Sequence, residues 1–145
     1  MQNLVLFTSN DRDSLLKARK GESKFGEHVQ LIPNLNNIYD DIVNLDVDYV
    51  LFGITEDIGV YANKGKTGAY KSWEATIKVL LNTQSNSFTK AKRVLILGHL
   101  NYTEARKVVE LKASKKNISD ARTIVTTIDK DVTHIVSTII KKLLF

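Results

Sequence analysis

Cysteine is absent from this chain, which excludes a disulfide framework, a thiolate metal site and a cysteine nucleophile. No apolar run approaches the roughly 20 residues that a helical membrane span needs. The opening Met1-Gln2-Asn3-Leu4-Val5-Leu6-Phe7 lacks the positive flank and small-residue cleavage site of a signal peptide. No internal repeat or low-complexity tract interrupts the pattern. The expected compartment is the cytoplasm and no membrane partner is expected.

What remains is an ordinary globular composition. Apolar residues make up 43% and charged residues 26% of 145 positions, enough for one domain, 1–145, that buries roughly 68–70% of its unfolded surface. The net charge of +5 conceals an asymmetry: residues 1–57 carry five Lys/Arg against ten Asp/Glu, and residues 58–145 carry sixteen against six. A basic half is one footprint of nucleic-acid binding. Here the cations are interspersed with Asp and Glu and stacking aromatics are few, so nucleic acid is not the expected partner. A solvated surface, or one facing an acidic segment, accounts for the charge.

Residues 49–54, Tyr-Val-Leu-Phe-Gly-Ile, and residues 93–98 around Val94-Leu95-Ile96-Leu97 read as strands apolar on both faces, the pattern of a sheet covered on both sides. Residues 4–8 and 29–32 are shorter strand candidates, the latter stopped by Pro33, the only proline. Ser9, Asn10 and Asp11 offer helix caps ahead of Leu15 and Leu16. Residues 34–45 read as loop and short helix, 55–70 as a glycine-punctuated loop, 72–82 as an amphipathic helix and 103–112 as another. The strongest periodicity lies in 119–144, where Ala121, Ile124, Val125, Ile128, Val132, Ile135, Val136, Ile139 and Leu143 recur at helical spacings. Alternating strands and helices imply an α/β fold, expected as three α/β/α layers around a mostly parallel sheet.

Ligands of such sheets bind in loops at the carboxyl ends of the strands. Gly53, Glu56-Asp57, Gly59-Val60, Asn63, Gly65, Gly68-Ala69 and a helix containing Trp73 follow in that order. This succession resembles the N-terminal signature of the arginase (ureohydrolase) family, and within it the formimidoylglutamase branch. The resemblance covers most of the chain, on specific motifs only in 53–82, and implies the front of an arginase-like fold. The complete enzyme it implies is a manganese-dependent hydrolase of linear amidines, in which a binuclear centre activates a water that attacks the amidine carbon. Glutamate and formamide would be that branch's products. In the complete enzyme Asn63 and Lys66 are the residues expected against the substrate, because their loop sits at the carboxyl edge of the sheet. Tyr61 and Lys66 stand where that branch more often has arginine. The family's ligand segments, Gly-Gly-Gly-His, Asp-x-His-x-Asp and Asp-x-Asp, do not occur in the sequence. The expectation is therefore an N-terminal portion without metal, cofactor or catalytic residues of its own, ending at Lys141-Lys142-Leu143-Leu144-Phe145 on uncovered apolar residues. Its expected partner is the missing C-terminal part or a second copy.

Competing readings rest on single features. His28, His99 and His134 are isolated, whereas a metal centre needs convergent ligands. His99, at a strand's carboxyl end, is read as a structural hydrogen-bonding residue. The run from Gly59 to Gly65-Lys66-Thr67 nearly matches a phosphate loop, but with five residues between the glycines and Glu56-Asp57 ahead of it. Glu56 and Asp57 as adjacent side chains point apart in an extended chain, which suits capping better than paired acid–base chemistry. Trp73 is read as core. A free-standing protein-interaction module and a small-ligand or nucleotide binder stand as alternatives to the hydrolase portion.

Overall fold

A computed structural model describes residues 3–110 and 115–144, with side chains for 3–109 and 118–141. Three strands form one sheet in the order β1-β3-β2: β1 (Leu4–Leu6) runs antiparallel and β2 (Tyr49–Thr55) parallel to the central β3 (Val94–Asn101). The sheet is mixed, which corrects the expectation of a mostly parallel one. The reason lies at one edge of β3. Its carboxyl half pairs with the three-residue β1, and its amino half accepts only Gln30, bridged in parallel to Leu95. The Gln30 N–H donates to the Val94 carbonyl at 2.8 Å and the Ile96 N–H to Gln30 at 3.1 Å. The strand expected at 29–32 is thus a single bridge, because β1 occupies the rest of the edge.

Helices cover both faces. Leu95, Leu97 and Leu100 belong to a core shared with α2 (Ile38–Asn44), α3 (Ile58–Ala62), α5 (Thr103–Glu110) and α6 (Lys115–Leu144). Ile96 faces a second core built from α1 (Ser9–Leu15), α4 (Ser72–Leu81) and the 3-10 turn Phe25–Glu27. The two cores explain why β2 and β3 read as continuous apolar runs. Among the described residues, no helix is long and apolar enough to cross a membrane.

One irregularity shifts the pleat of β3. Leu51 faces Ile96 across the ladder but Phe52 faces Gly98, so Leu97 is the extra residue of a bulge. Gly98 takes φ +133°, and a Cβ there would lie 2.0 Å from the Val5 carbonyl oxygen. Only glycine permits this backbone and this approach of β1. Beyond the bulge the facing is exchanged: Leu100, not His99, continues the face of Leu95 and Leu97.

Thr8 caps α1, one residue before the expected caps, and Asp11 completes a capping box. The Asp11 N–H donates to Thr8 Oγ1 at 3.2 Å and the Thr8 N–H to Asp11 Oδ2 at 2.8 Å. Helix α6 lies on α3 and α2 through buried Ala121, Ile128, Ile135 and Ile139. Thr123, Thr126, Thr127, Thr133 and Thr138 donate their hydroxyls to the carbonyls four residues back. The side chains of Leu143, Leu144 and Phe145 and the end of the helix expected over 103–112 lie outside the described residues.

In α4, Ile77 and Leu81 are buried while Trp73 and Leu80 are half-buried. Leu81, 0% exposed, anchors this helix to the sheet. Leu81→Ala is expected to lower stability by roughly 2–5 kcal/mol, and Leu80→Ala by distinctly less. Denaturant melts of both variants check the order; equal losses would mean that α4 is rotated about its axis.

Candidate functional site

The glycine-punctuated segment after β2 is more ordered than a loop. Glu56 Oε2 accepts the backbone N–H groups of Ile58 at 2.6 Å and Gly59 at 3.1 Å, capping the start of α3. Asp57, only 1% exposed, turns the other way. Its Oδ2 accepts the Gly68 N–H at 2.6 Å and its Oδ1 accepts Arg106 Nε at 3.0 Å. The Arg106 guanidinium in turn lies 3.5 Å from the centre of the Tyr70 ring, a cation–π stack. One buried carboxylate therefore joins the end of β2, the far end of the glycine segment and α5.

Gly59 falls inside α3, so the run 59–65 is a helix and a turn and not a phosphate cradle. Gly65 closes that turn through its N–H to the Val60 carbonyl at 2.8 Å, and Gly68 sits at φ +138°. Asn63 and Lys66 are exposed on the same segment. Gly53, inside β2, has a different role. A Cβ there would meet Trp73 Cε3 at 2.4 Å, so its missing side chain lets the indole lie against the strand.

Beside that indole, on the α1 and α4 side of the sheet, opens a cleft of about 440 Å³. It is at the carboxyl ends of β2 and β3, the ligand-binding end of α/β sheets. Leu6, Phe7, Leu15 and Ile77 supply its apolar lining, and Trp73 and His99 its rings, with centroids 6.2 Å apart. Asp11, Glu74 and Lys71 supply its charges. Neither Asn63 nor Lys66 lines it.

Electrostatics in the cleft are set by two neighbours. Hydrogen bonds from Thr8 hold the Asp11 carboxyl below its usual range. Burial lowers His99 below the ordinary histidine value, and the Asp11 charge opposes this more weakly. The His99 imidazole makes no hydrogen bond among the described residues, in contrast to the structural bond expected of it. Trp73, expected as core, forms part of the cleft wall while packing on Gly53. A second hollow, about 570 Å³, lies between β1, α5 and α6. Beside it Tyr102 Oη donates to Asp131 at 3.1 Å and Asn3 to the same oxygen at 3.0 Å. Burial, with this carboxylate next, raises the Tyr102 phenol.

The other histidines do not join His99. His28 pairs with Ser23 Oγ at 2.6 Å, and His134 is on exposed α6 surface. Among the described residues no three His, Cys, Asp or Glu side chains converge to hold a metal ion. No protein-family model, curated protein or solved structure matches the chain.

Sequence reasoning missed the cleft because its members come from α1, β3 and α4, far apart along the chain. The available signal was Gly98 preceding His99, which becomes informative only when the bulge is known. The lowered His99 fixes a pH dependence. Below the unfolded value, near 6.5, the unfolded chain binds more protons than the folded one, so stability falls as pH falls. Asp11, also lowered, adds a loss in the same direction only below its ordinary value of 3.8. Melting temperatures are therefore expected to drop between neutral pH and pH about 5, and His99→Gln is expected to flatten that drop. An unchanged slope in the variant would assign the effect elsewhere.

Proposed function

We propose that this chain is the front portion of a ureohydrolase-like hydrolase of linear amidines, of the formimidoylglutamase kind, and has no hydrolase activity by itself. The observation that carries the reading is the construction of residues 49–81. Strand β2, the Glu56-Asp57 pair and the glycine segment form one hydrogen-bonded unit at the carboxyl end of a doubly covered strand, and the Trp73 helix packs on it at Gly53. The motif that carries the resemblance thereby has a physical purpose. Each acidic residue satisfies backbone donors, and two of its glycines stand at close approaches. Asn63 and Lys66 project from the outer part of this segment, where a further part of an arginase-like fold would meet them. Because no metal-binding set is present among the described residues, the chemistry of C–N hydrolysis would belong wholly to that further part.

Mixing the chain with a separate polypeptide that carries the Gly-Gly-Gly-His, Asp-x-His-x-Asp and Asp-x-Asp segments of a formimidoylglutamase tests this. Formamide release with manganese is expected from the mixture and from neither piece alone. Asp57→Ala, which frees Gly68 and leaves Arg106 without this carboxylate, is expected to reduce it. A mixture that neither associates nor hydrolyses overturns the reading.

A second reading, self-association, has its own observation. No described strand pairs with the outer edge of β2, where Tyr49 is 66% and Ile54 39% exposed. The strand itself, Tyr49–Thr55, contains neither proline nor charge, the devices that commonly blunt an edge. Sedimentation at micromolar concentration is expected to reveal a dimer or larger species, shifting to monomer in Tyr49→Lys/Ile54→Lys. A wild-type chain that stays monomeric throughout removes this reading.

A further inference from the structure

We propose that the cleft between β3, α1 and α4 is a binding site for a small aromatic amine, with the ring against Trp73 and the ammonium held by Asp11 and Glu74. This site is separate from the glycine segment, and the inference does not depend on the hydrolase reading.

Shape comes first. A volume of about 440 Å³ lies in the lower part of the span of small-molecule pockets, roughly 300–1,000 Å³. The apolar lining from Phe7, Leu15 and Ile77, next to one indole face or edge, suits a planar hydrocarbon body.

The backbone then supplies a polar group that the fold itself does not use. The Leu97–Gly98 bulge moves His99 off the face of Leu95 and Leu97 and into the cleft wall. There it is half-buried, beside Trp73, its ring without a hydrogen-bond partner among the described residues. A neutral imidazole retains an acceptor nitrogen as well as a donor. Bulges commonly re-aim side chains at sites in this way.

Charge selects the sign of the ligand. The groups facing His99 across the cleft are Asp11 from α1, Glu74 from α4, and Lys71 and Tyr70 from the turn before α4. Asp11 uses Oδ2 for the Thr8 cap, leaving Oδ1 for a ligand. The Glu74 carboxylate makes no hydrogen bond or ion pair among the described residues. The single ammonium, Lys71, lies 5.5 Å from the Tyr70 ring centre. Two carboxylates against one lysine, with His99 neutral, favour an organic cation and disfavour carboxylates and phosphates. Trp73 adds cation–π attraction for an ammonium near its face.

Trp73 is the only tryptophan, so its emission reports this cleft alone. The probes are 2-phenylethylamine, 2-phenylethanol and 3-phenylpropionate, which share a ring and differ in charge. A saturable emission change is expected with the amine at neutral pH, at least about tenfold weaker with the alcohol and weaker still with the acid. Glu74→Gln, on the exposed face of α4, is expected to weaken amine binding by about tenfold without disturbing the α1 cap. Asp11→Asn is expected to do the same, and circular dichroism establishes that it remains folded. Lowering the pH through the His99 titration is expected to weaken the amine and not the alcohol, because an imidazolium repels it. Equal or tighter binding of the acid, no saturable response to the amine, or an unchanged affinity in Glu74→Gln overturns the proposal.

Discussion

The missing side chain at Gly98 is the constraint on which the sheet and its cleft both depend. Any Cβ there would collide with the Val5 carbonyl and with the backbone of Leu6 and Phe7, so β1 would lose its place on β3. The same residue carries the positive φ that accommodates the bulge. One glycine thus fixes the edge strand and decides which of the following residues are core and which are wall. Leu100 goes inward to the α6 side, and His99 and Asn101 reach the α1 side.

A second constraint is electrostatic. Asp57 is buried, with the Arg106 guanidinium and the Gly68 N–H as partners. Removing one member of such a pair leaves a charge in a poorly solvating place, which is strongly destabilising, although a buried ion pair as a whole need not be stabilising relative to apolar packing. Its value here is geometric: it specifies where the glycine segment returns to the sheet. The stacked Tyr70 and Arg106 extend that specification to α5, next to the cleft that Tyr70 also lines.

The sequence was most legible where burial and period agree. Strands β2 and β3 were readable from apolar runs, their parallel pairing from the helix between them, and α4 and α6 from apolar residues three and four apart. The strand at β1 was readable too, but not its antiparallel direction, because orientation of a three-residue edge strand is decided by which edge is vacant and leaves no mark in its composition. Within 55–70, glycine frequency suggested a loop. Glu56 instead supplies acceptors for the first N–H groups of a short helix, and that local bond outweighs the low helix propensity of Gly59. For the site, Glu56 and Asp57 could be located but not their partners: Arg106 is 49 residues away. His99 could be placed at a strand end, yet its facing required knowledge of a bulge. No match to a known protein bears on the formimidoylglutamase resemblance, which rests on the motif and its construction.

Helix α6 has a consequence for the order of events in folding. Its described stretch is dense in isoleucine, valine and threonine, residues that lose side-chain freedom in a helix. Its threonine hydroxyls compete for the same carbonyls that hold the turns together. An isolated segment of this composition nucleates poorly. Its helicity is therefore conferred by the surfaces of α2 and α3 that receive Ala121, Ile128 and Ile135. Coiling of α6 and desolvation of the core beneath it are then a single step. In kinetic terms, this composition argues against α6 as an independent seed of collapse.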